Sequence, residues 1–336
     1  MHLMTKAISL LSGGLDSILA TRIIMEQSIE VEAITFVSVF SDRSHAGNQG
    51  ALARAAAQNL GIKHTLIDID EDLLSIVKDP AHGYGKNMNP CIDCRILTFK
   101  KAFIYMKERE AAFIITGEVL GERPMSQRKD AMRIIDRESA TEGFVLRPLS
   151  AQLMEPTNPE KEGLVKRELL YSISGRSRKG QFALAEKFKI TEFPNPAGGC
   201  LLTDKIFSRK VGDLLDHNPD FTTDDVELLK RGRHFRLSRN TKLIVGRDEK
   251  ENVQLEELAC DNDVILDTVS VPGPVALCRG ECTKECIEQS ARILVSHSDA
   301  PENETIKILS RYKGSQEAEE VEVVSFSRDE LEALRI

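Results

Sequence analysis

A chain of 336 residues, 41% hydrophobic and 29% charged, has the composition of a soluble globular protein and is long enough for two or three domains without covalent staples. The formal net charge of −8 by itself argues against a nucleic-acid partner, no apolar run approaches the roughly 20 residues of a membrane span, and the N-terminus lacks a signal-peptide core. The expectation is a cytoplasmic protein whose seven cysteines stay reduced and serve metal, sulfur chemistry or packing.

The first element is a short apolar strand ending in Leu10 and Leu11. Ser12-Gly13-Gly14-Leu15-Asp16-Ser17 follows, and then an amphipathic helix containing Ile18, Leu19, Ile23 and Ile24. Paired glycines let the backbone turn sharply and approach a ligand that a Cβ would push away. The hydroxyls of Ser12 and Ser17 and the unpaired N–H groups of a helix start suit phosphate oxygens. No Gly-Lys-Ser/Thr follows, so this is not a Walker loop. The alternative is an ordinary glycine turn with Asp16 and Ser17 capping the helix.

Strands are expected over 31–40, 64–69 and 112–116, and helices over 48–60 and 96–109. Such alternation predicts an α/β fold, a Rossmann-like parallel sheet with helices on both faces. Ligands then lie beyond the carboxyl ends of the strands, where 12–17, 36–40 and 116–118 converge. Phe36 packs in the core or lets its backbone face the ligand crevice. Gly117 approaches the nucleotide closely or is a plain loop glycine. Arg123, Gln127 and Arg128 border the same edge, facing substrate or solvent.

Asn89-Pro90-Cys91-Ile92-Asp93-Cys94 runs from a Gly/Asn/Pro-rich loop into a helix. C-x-x-C at a helix start favours thiolate but leaves a redox pair, a zinc half-site and an iron–sulfur half-site open. A lone cysteine ends Pro194-Asn195-Pro196-Ala197-Gly198-Gly199-Cys200, a turn too rigid for a mere core filler. Two thiols plus one make three.

S-G-G-x-D-S resembles the PP-loop of the ATP pyrophosphatase superfamily, whose members bind ATP and release pyrophosphate while adenylating a substrate. With P-C-x-x-C and a later cysteine, residues 1–204 are similar to tRNA thiolation enzymes. The resemblance implies ATP held at Leu11, Ser12, Gly13, Gly14, Leu15, Asp16, Ser17, Phe36 and Gly117, with Mg²⁺ oriented by Asp16. It implies a [4Fe–4S] cluster on Cys91, Cys94 and Cys200, with the fourth iron free for sulfide. A rival carry-over has no metal: Cys94 is the nucleophile, Cys200 carries a persulfide, and Cys91 is idle. Either way the chain is expected to be an ATP-dependent tRNA sulfurtransferase, fed by sulfide or a persulfide carrier. A PP-loop amidating synthetase and a non-catalytic RNA-binding factor are the other classes.

Beyond residue 204 the stretch 230–239 is densely basic, and 242–252 reads as strand, turn and helix start. Residues 269–277 read as two short strands about a Pro–Gly bend. The pieces Val245-Gly246-Arg247-x4-Asn252 and Val271-Pro272-Gly273-x-Val275 resemble the RNA-binding domain of the NFACT family. That implies a smaller α/β RNA-binding domain over 205–336, ending in an acidic tail, that grips tRNA phosphates through Arg231, Arg233, Arg236, Arg239, Lys242 and Arg247. A degenerate module kept for dimerisation is the alternative. Cys278, Cys282 and Cys286 recur every four residues, which places them along one side of a helix as buried small hydrophobes rather than metal ligands.

Overall fold

The computed structural model describes residues 5–41, 49–194, 200–301 and 303–336. The chain divides into two compact units, Met1–Asp204 and Lys205–Ile336. The first holds strands β1 (Lys6–Leu10), β2 (Glu30–Val37), β3 (His64–Asp68), β4 (Phe113–Thr116) and β5 (Val145–Leu146). Its helices are α1 (Leu15–Met25), α2 (Gln49–Leu60), α3 (Asp70–Lys78), α4 (Cys91–Glu108), α5 (Lys129–Glu138), the single turn α6 (Asn158–Lys161) and α7 (Lys179–Lys187).

The five strands are parallel in the order β3-β2-β1-β4-β5. Neighbouring residues along each strand bury on opposite faces. Ala7, Val31 and Phe113 pack under α1 and α7, whereas Ile8, Ile34 and Ile114 pack under α4. A sheet covered on both faces favours apolar strands, and the central β1 and β4 are buried along most of their length, while the edge strand β3 is only partly so. The expected doubly wound α/β architecture is present. Chain order reverses between β1 and β4, so the crevice for a ligand opens at the ends of those two strands.

The strand expected over 31–40 stops at Val37. Ser41 closes a turn onto Ser38 (N···O 2.9 Å) and the Val39 N–H donates to Asp70 Oδ1 at the start of α3. At the opposite, amino edge, Glu32 is buried beneath Lys6 (2.9 Å), Lys63 (3.3 Å), Arg109 (3.7 Å) and the Tyr105 hydroxyl. Burial pushes its pKa up, but hydrogen bonds from Tyr105, Lys6 and Lys63 outweigh that and hold it at about 2 against an ordinary 4.5. A depressed carboxyl pKa stabilises the fold above the ordinary value and loses that contribution as pH falls through the folded value. The stability gap between wild type and Glu32→Gln in denaturant titrations should therefore be full above pH 4.5 and close towards pH 2. A gap independent of pH would refute this role.

The second unit holds α8 (Lys205–His217), α9 (Thr223–Leu229), β6 (Arg233–Ser238), β7 (Thr241–Val245), α10 (Glu249–Leu258), β8 (Val264–Thr268), β9 (Ala276–Gly280), α11 (Lys284–Val295), β10 (Ile306–Tyr312), β11 (Glu319–Val323) and α12 (Arg328–Leu334). Its sheet is antiparallel, in the order β11-β10-β8-β9-β7-β6. The strands expected within 269–277 are displaced: β8 ends at Thr268 and β9 begins at Ala276, because Pro272 and Pro274 have no N–H for a ladder. The cysteines do not share a helix face. Cys278 lies in β9, Cys282 in the connection that follows, and Cys286 in α11. Cys278 and Cys286 are nonetheless buried and Cys282 half-buried, as expected of small hydrophobes. Among the described residues no helix is long and apolar enough to cross a membrane.

Candidate active site

The turn after β1 is cross-linked by hydroxyls. Ser17 Oγ accepts from Ser12 N and Ser12 Oγ, both at 3.2 Å, and donates to the Gly14 carbonyl at 2.8 Å. The Thr35 hydroxyl of β2 donates to the Leu11 carbonyl and also contacts His64 Nε2 at 2.8 Å. Gly13 has φ +79°, and a Cβ there would lie 2.7 Å from the Leu52 carbonyl carbon of α2, so only glycine fits. A Cβ on Gly14 would meet nothing closer than Ser12 Oγ at 3.5 Å, which leaves room above the loop. The caps expected of Asp16 and Ser17 are not formed: Gly14 is the N-cap and no side chain caps α1. Ser17 is buried and Asp16 half-buried.

Gly117 follows β4 and faces this turn across the switch point. A Cβ on it would stand 2.5 Å from Ser17 N and 2.6 Å from the Asp16 carbonyl carbon. Its close approach is thus to the loop backbone rather than to open space for a ligand. Phe36 is half-buried and its side chain packs in the α4-side core.

Around Asp16 lie polar groups that the sequence reading did not select. Asp16 Oδ1, Gln181 Oε1 and Nε2, and Arg178 Nε are buried without a hydrogen-bond partner. Each such orphan costs about 1–3 kcal/mol, a cost that a polar ligand relieves. Burial raises the Asp16 pKa, countered by Arg178, Gln181 and Arg123. Burial, helped by the Asp16 charge, raises Glu122. Arg178 and Gln181 come from the start of α7, which packs on α1; in sequence only Arg178 carries a signal, within the basic run Arg176-Ser177-Arg178-Lys179. Of the other residues expected here, Gln127 is buried, with its carboxamide oxygen on Arg123 N (3.1 Å), while Arg128 turns outward to Asp130 (3.1 Å).

The thiols gather at the same edge. Pro90 is the N-cap of α4, so Cys91 and Cys94 occupy its first turn, both half-buried. Asn89 Nδ2 donates to Cys91 Sγ at 3.2 Å. Cys200 pairs with Ser41 in an isolated antiparallel bridge beyond the end of β2, with Leu201 N on the Phe40 carbonyl at 2.9 Å. Asn87 Nδ2 on the Thr203 carbonyl (2.7 Å) ties the two cysteine loops together. The turn Asn195–Gly199 lies outside the described residues. Burial pushes the Cys94 thiol up to about 11, with charge on the Cys91 thiol adding to it, so the helix start does not favour a Cys94 thiolate as the sequence suggested; Cys200 is exposed. Three soft sulfur donors with an amide N–H on one of them match the chemistry of an iron–sulfur centre. Among the described residues, however, no group of three His, Cys, Asp or Glu side chains is already arranged to hold a metal ion.

A buried ion network steadies this edge. Arg147 bridges Glu118 (3.0 Å) and Asp136 (2.7 Å), and Arg95, next to Cys94, reaches Glu118 at 3.4 Å. Asp93 accepts from His82 N and pairs with His82 Nδ1 at 2.8 Å. The helix bearing both cysteines is thereby fastened to the segment following β4.

In the second unit the expected phosphate-binding residues are largely engaged. Asp213 takes Arg236 (2.6 Å) and Lys242 (3.2 Å), Glu251 takes Arg247, Glu227 lies 3.9 Å from Arg231, and Arg233 donates to the Gly246 carbonyl at 3.1 Å. Lys242 is buried, which lowers its pKa to about 8 despite Asp213. Arg239, on the β6–β7 turn, is exposed and makes no ion pair among the described residues. The basic stretch is thus partly neutralised, by Asp213 from α8 and by the neighbouring Glu227 and Glu251.

Residues 3–154 match the family described as Thiamine biosynthesis protein (ThiI), and residues 232–335 match the NFACT protein RNA binding domain. A protein named tRNA-specific 2-thiouridylase MnmA, from Sulfurimonas denitrificans, is 26% identical over 281 residues, 78% of this chain and 79% of its own length. Two solved structures resemble parts of the chain. A 4-thiouridine synthetase in complex with RNA and ATP is 21% identical, with TM-score 0.36, covering 55% of this chain and 52% of that one. The U34-tRNA thiolase NcsA from Methanococcus maripaludis, with its [4Fe–4S] cluster, is 16% identical, with TM-score 0.35, covering 67% and 73%. The chain thus joins a PP-loop domain of the ThiI type to an RNA binding domain of the NFACT type.

Proposed function

We propose that the protein is an ATP-dependent tRNA sulfurtransferase that replaces a uridine carbonyl oxygen with sulfur. The observation that carries this reading is the meeting of two chemistries at one sheet edge. A hydroxyl-braced glycine turn stands beside orphaned buried polar atoms, and three thiols sit at the start of α4 and on the segment that bridges to Ser41. A uridine oxygen is a poor leaving group. Attack of that oxygen on the α-phosphorus of ATP releases pyrophosphate and leaves an adenylated base, from which AMP departs readily when sulfur attacks the carbon.

The free N–H groups at the start of α1 and the Arg178 and Arg123 guanidiniums are suited to the charge that develops on pyrophosphate. Asp16 offers a carboxylate to the Mg²⁺ that accompanies ATP. Gly14 leaves room for phosphate oxygens to come close to the backbone, and Gly13 supplies the positive φ of the turn. Cys91, Cys94 and Cys200 would hold a [4Fe–4S] cluster, which when bound supplies an open iron for sulfide. The cluster-free route would instead use Cys94 as nucleophile and Cys200 as persulfide carrier, leaving Cys91 idle. The base must be reached in a loop or flipped from its stack, a task suited to a chain with an RNA-binding module.

Pyrophosphate release with ATP and bulk tRNA tests the reading. Release should require tRNA. Equal release without tRNA would favour a small-molecule synthetase, and none under any condition would favour an RNA-binding factor.

A further inference from the structure

A second sulfur pair, unconnected with the nucleotide site, lies inside the RNA-binding unit. Cys278 is fully buried in β9, paired with Leu243 of β7 and Val264 of β8. Cys282 is half-buried in the connection to α11, and its Sγ stands 3.2 Å from Cys278 Sγ and 3.4 Å from the Cys278 carbonyl oxygen. What brings two sulfurs four residues apart together is Gly280. Its φ is +109°, and a Cβ there would fall 1.8 Å from the Asn240 carbonyl oxygen, so the chain folds back at a position no other residue can fill.

The corner is also held from outside. Glu281 N donates to Asn240 O at 3.2 Å, Thr241 Oγ1 donates to Glu281 O at 2.7 Å, and Thr283 caps α11 through Cys286 N. Cys286 turns away to Thr241 Oγ1 at 3.7 Å, which leaves a pair rather than a trio. Closing 3.2 Å to the roughly 2.0 Å of a disulfide takes about one ångström of motion, available to a side chain in the connection. The hydrogen bond between the sulfurs favours ionisation of Cys282, while the same bond and burial raise Cys278.

We propose that Cys278 and Cys282 form a reversible dithiol–disulfide site that reacts with low-molecular-weight disulfides, Cys282 attacking and Cys278 resolving. The Cys282 thiolate attacks one sulfur of RS–SR, forming a mixed disulfide and expelling RS⁻. Cys278 gives up its proton, attacks the Cys282 sulfur and expels the second RS⁻. The two protein thiols are oxidised by two electrons, and their two protons end on two RSH. The nucleophile is the accessible sulfur and the resolving one is buried beside it, as exchange requires. The same corner bonds the β6–β7 turn that carries Arg239, so the bridge would lie beside an exposed cation of the RNA-binding unit. This inference does not depend on the sulfurtransferase reading.

The test incubates the full-length chain with oxidised glutathione, blocks free thiols by alkylation and maps the peptides. The expected product links Cys278 to Cys282, two hydrogens lighter and reopened by dithiothreitol. Cys278→Ala should instead accumulate a stable glutathione adduct on Cys282. Should that buried substitution impair folding, Cys282→Ser, at a half-buried position, should lose the link and leave Cys278 unreacted. The exposed Cys260 serves as the internal control. Wild type bearing a lasting adduct on Cys282 without the link, or leaving Cys282 untouched while Cys260 reacts, would overturn the proposal.

Discussion

Ser17→Ala and Asp16→Asn are each expected to reduce ATP-dependent pyrophosphate release by about 100-fold or more, the scale seen when one transition-state donor is removed. The fold should survive both. Ser17 is buried, and its hydroxyl holds Ser12 N and the Gly14 carbonyl, so its loss leaves an unsatisfied donor and costs about 1–3 kcal/mol of stability. That loss deforms the phosphate cradle itself, so binding should fall with turnover. Asp16 makes no cap and its Oδ1 is already without a partner, so Asp16→Asn should leave stability within about 1 kcal/mol of wild type. Isothermal titration with ATP and thermal melts separate the two effects. Wild-type pyrophosphate release by both variants would show that this turn does not hold the nucleotide.

The second large effect concerns sulfur. Alanine at Cys91, Cys94 or Cys200 should each abolish thiolation and leave ATP binding unchanged, because the thiols stand on the first turn of α4 and on the segment bridged to Ser41, not on the glycine turn. Protein purified without oxygen should be brown and carry about four irons, with the colour lost in all three variants. Alanine at Cys278, Cys282 or Cys286, in the other unit, should affect neither colour nor thiolation. Colourless anaerobic protein that still thiolates with a persulfide donor, and that tolerates Cys91→Ala, would establish the Cys94/Cys200 route in place of the cluster.

Features written into local backbone were the legible ones. The glycine turn between an apolar strand and an amphipathic helix has few other conformations, and Pro90 ahead of Cys91 marks a helix start. The parallel sheet was readable because short strands carrying Ile8, Ile34 and Ile114 alternate with connections that read as helices. What could not be read depends on contacts between distant segments. Arg178 and Gln181 join Asp16 only after α7 docks on α1. Arg147 finds Glu118 and Asp136 only when β5 pairs with β4. Arg236 and Lys242 could not be paired from sequence because Asp213 precedes Arg236 by 23 positions, whereas the partners of Arg231 and Arg247 stand only four positions away. The spacing of Cys278, Cys282 and Cys286 suggested one helix face, but Gly280, with its positive φ, breaks that path and makes a strand–corner–helix instead. Of the arginines at that edge, Arg123 lies close enough to Asp16 to lower its pKa, while Arg128 is turned away towards Asp130.

The central claim is tested most directly by digesting tRNA to nucleosides after incubation with the protein, ATP and a sulfide or persulfide donor, and weighing the products. The account predicts a thiouridine, formed only when ATP, tRNA and donor are all present and lost with Asp16→Asn. Pyrophosphate release accompanied by no sulfur-bearing uridine with either donor would contradict it.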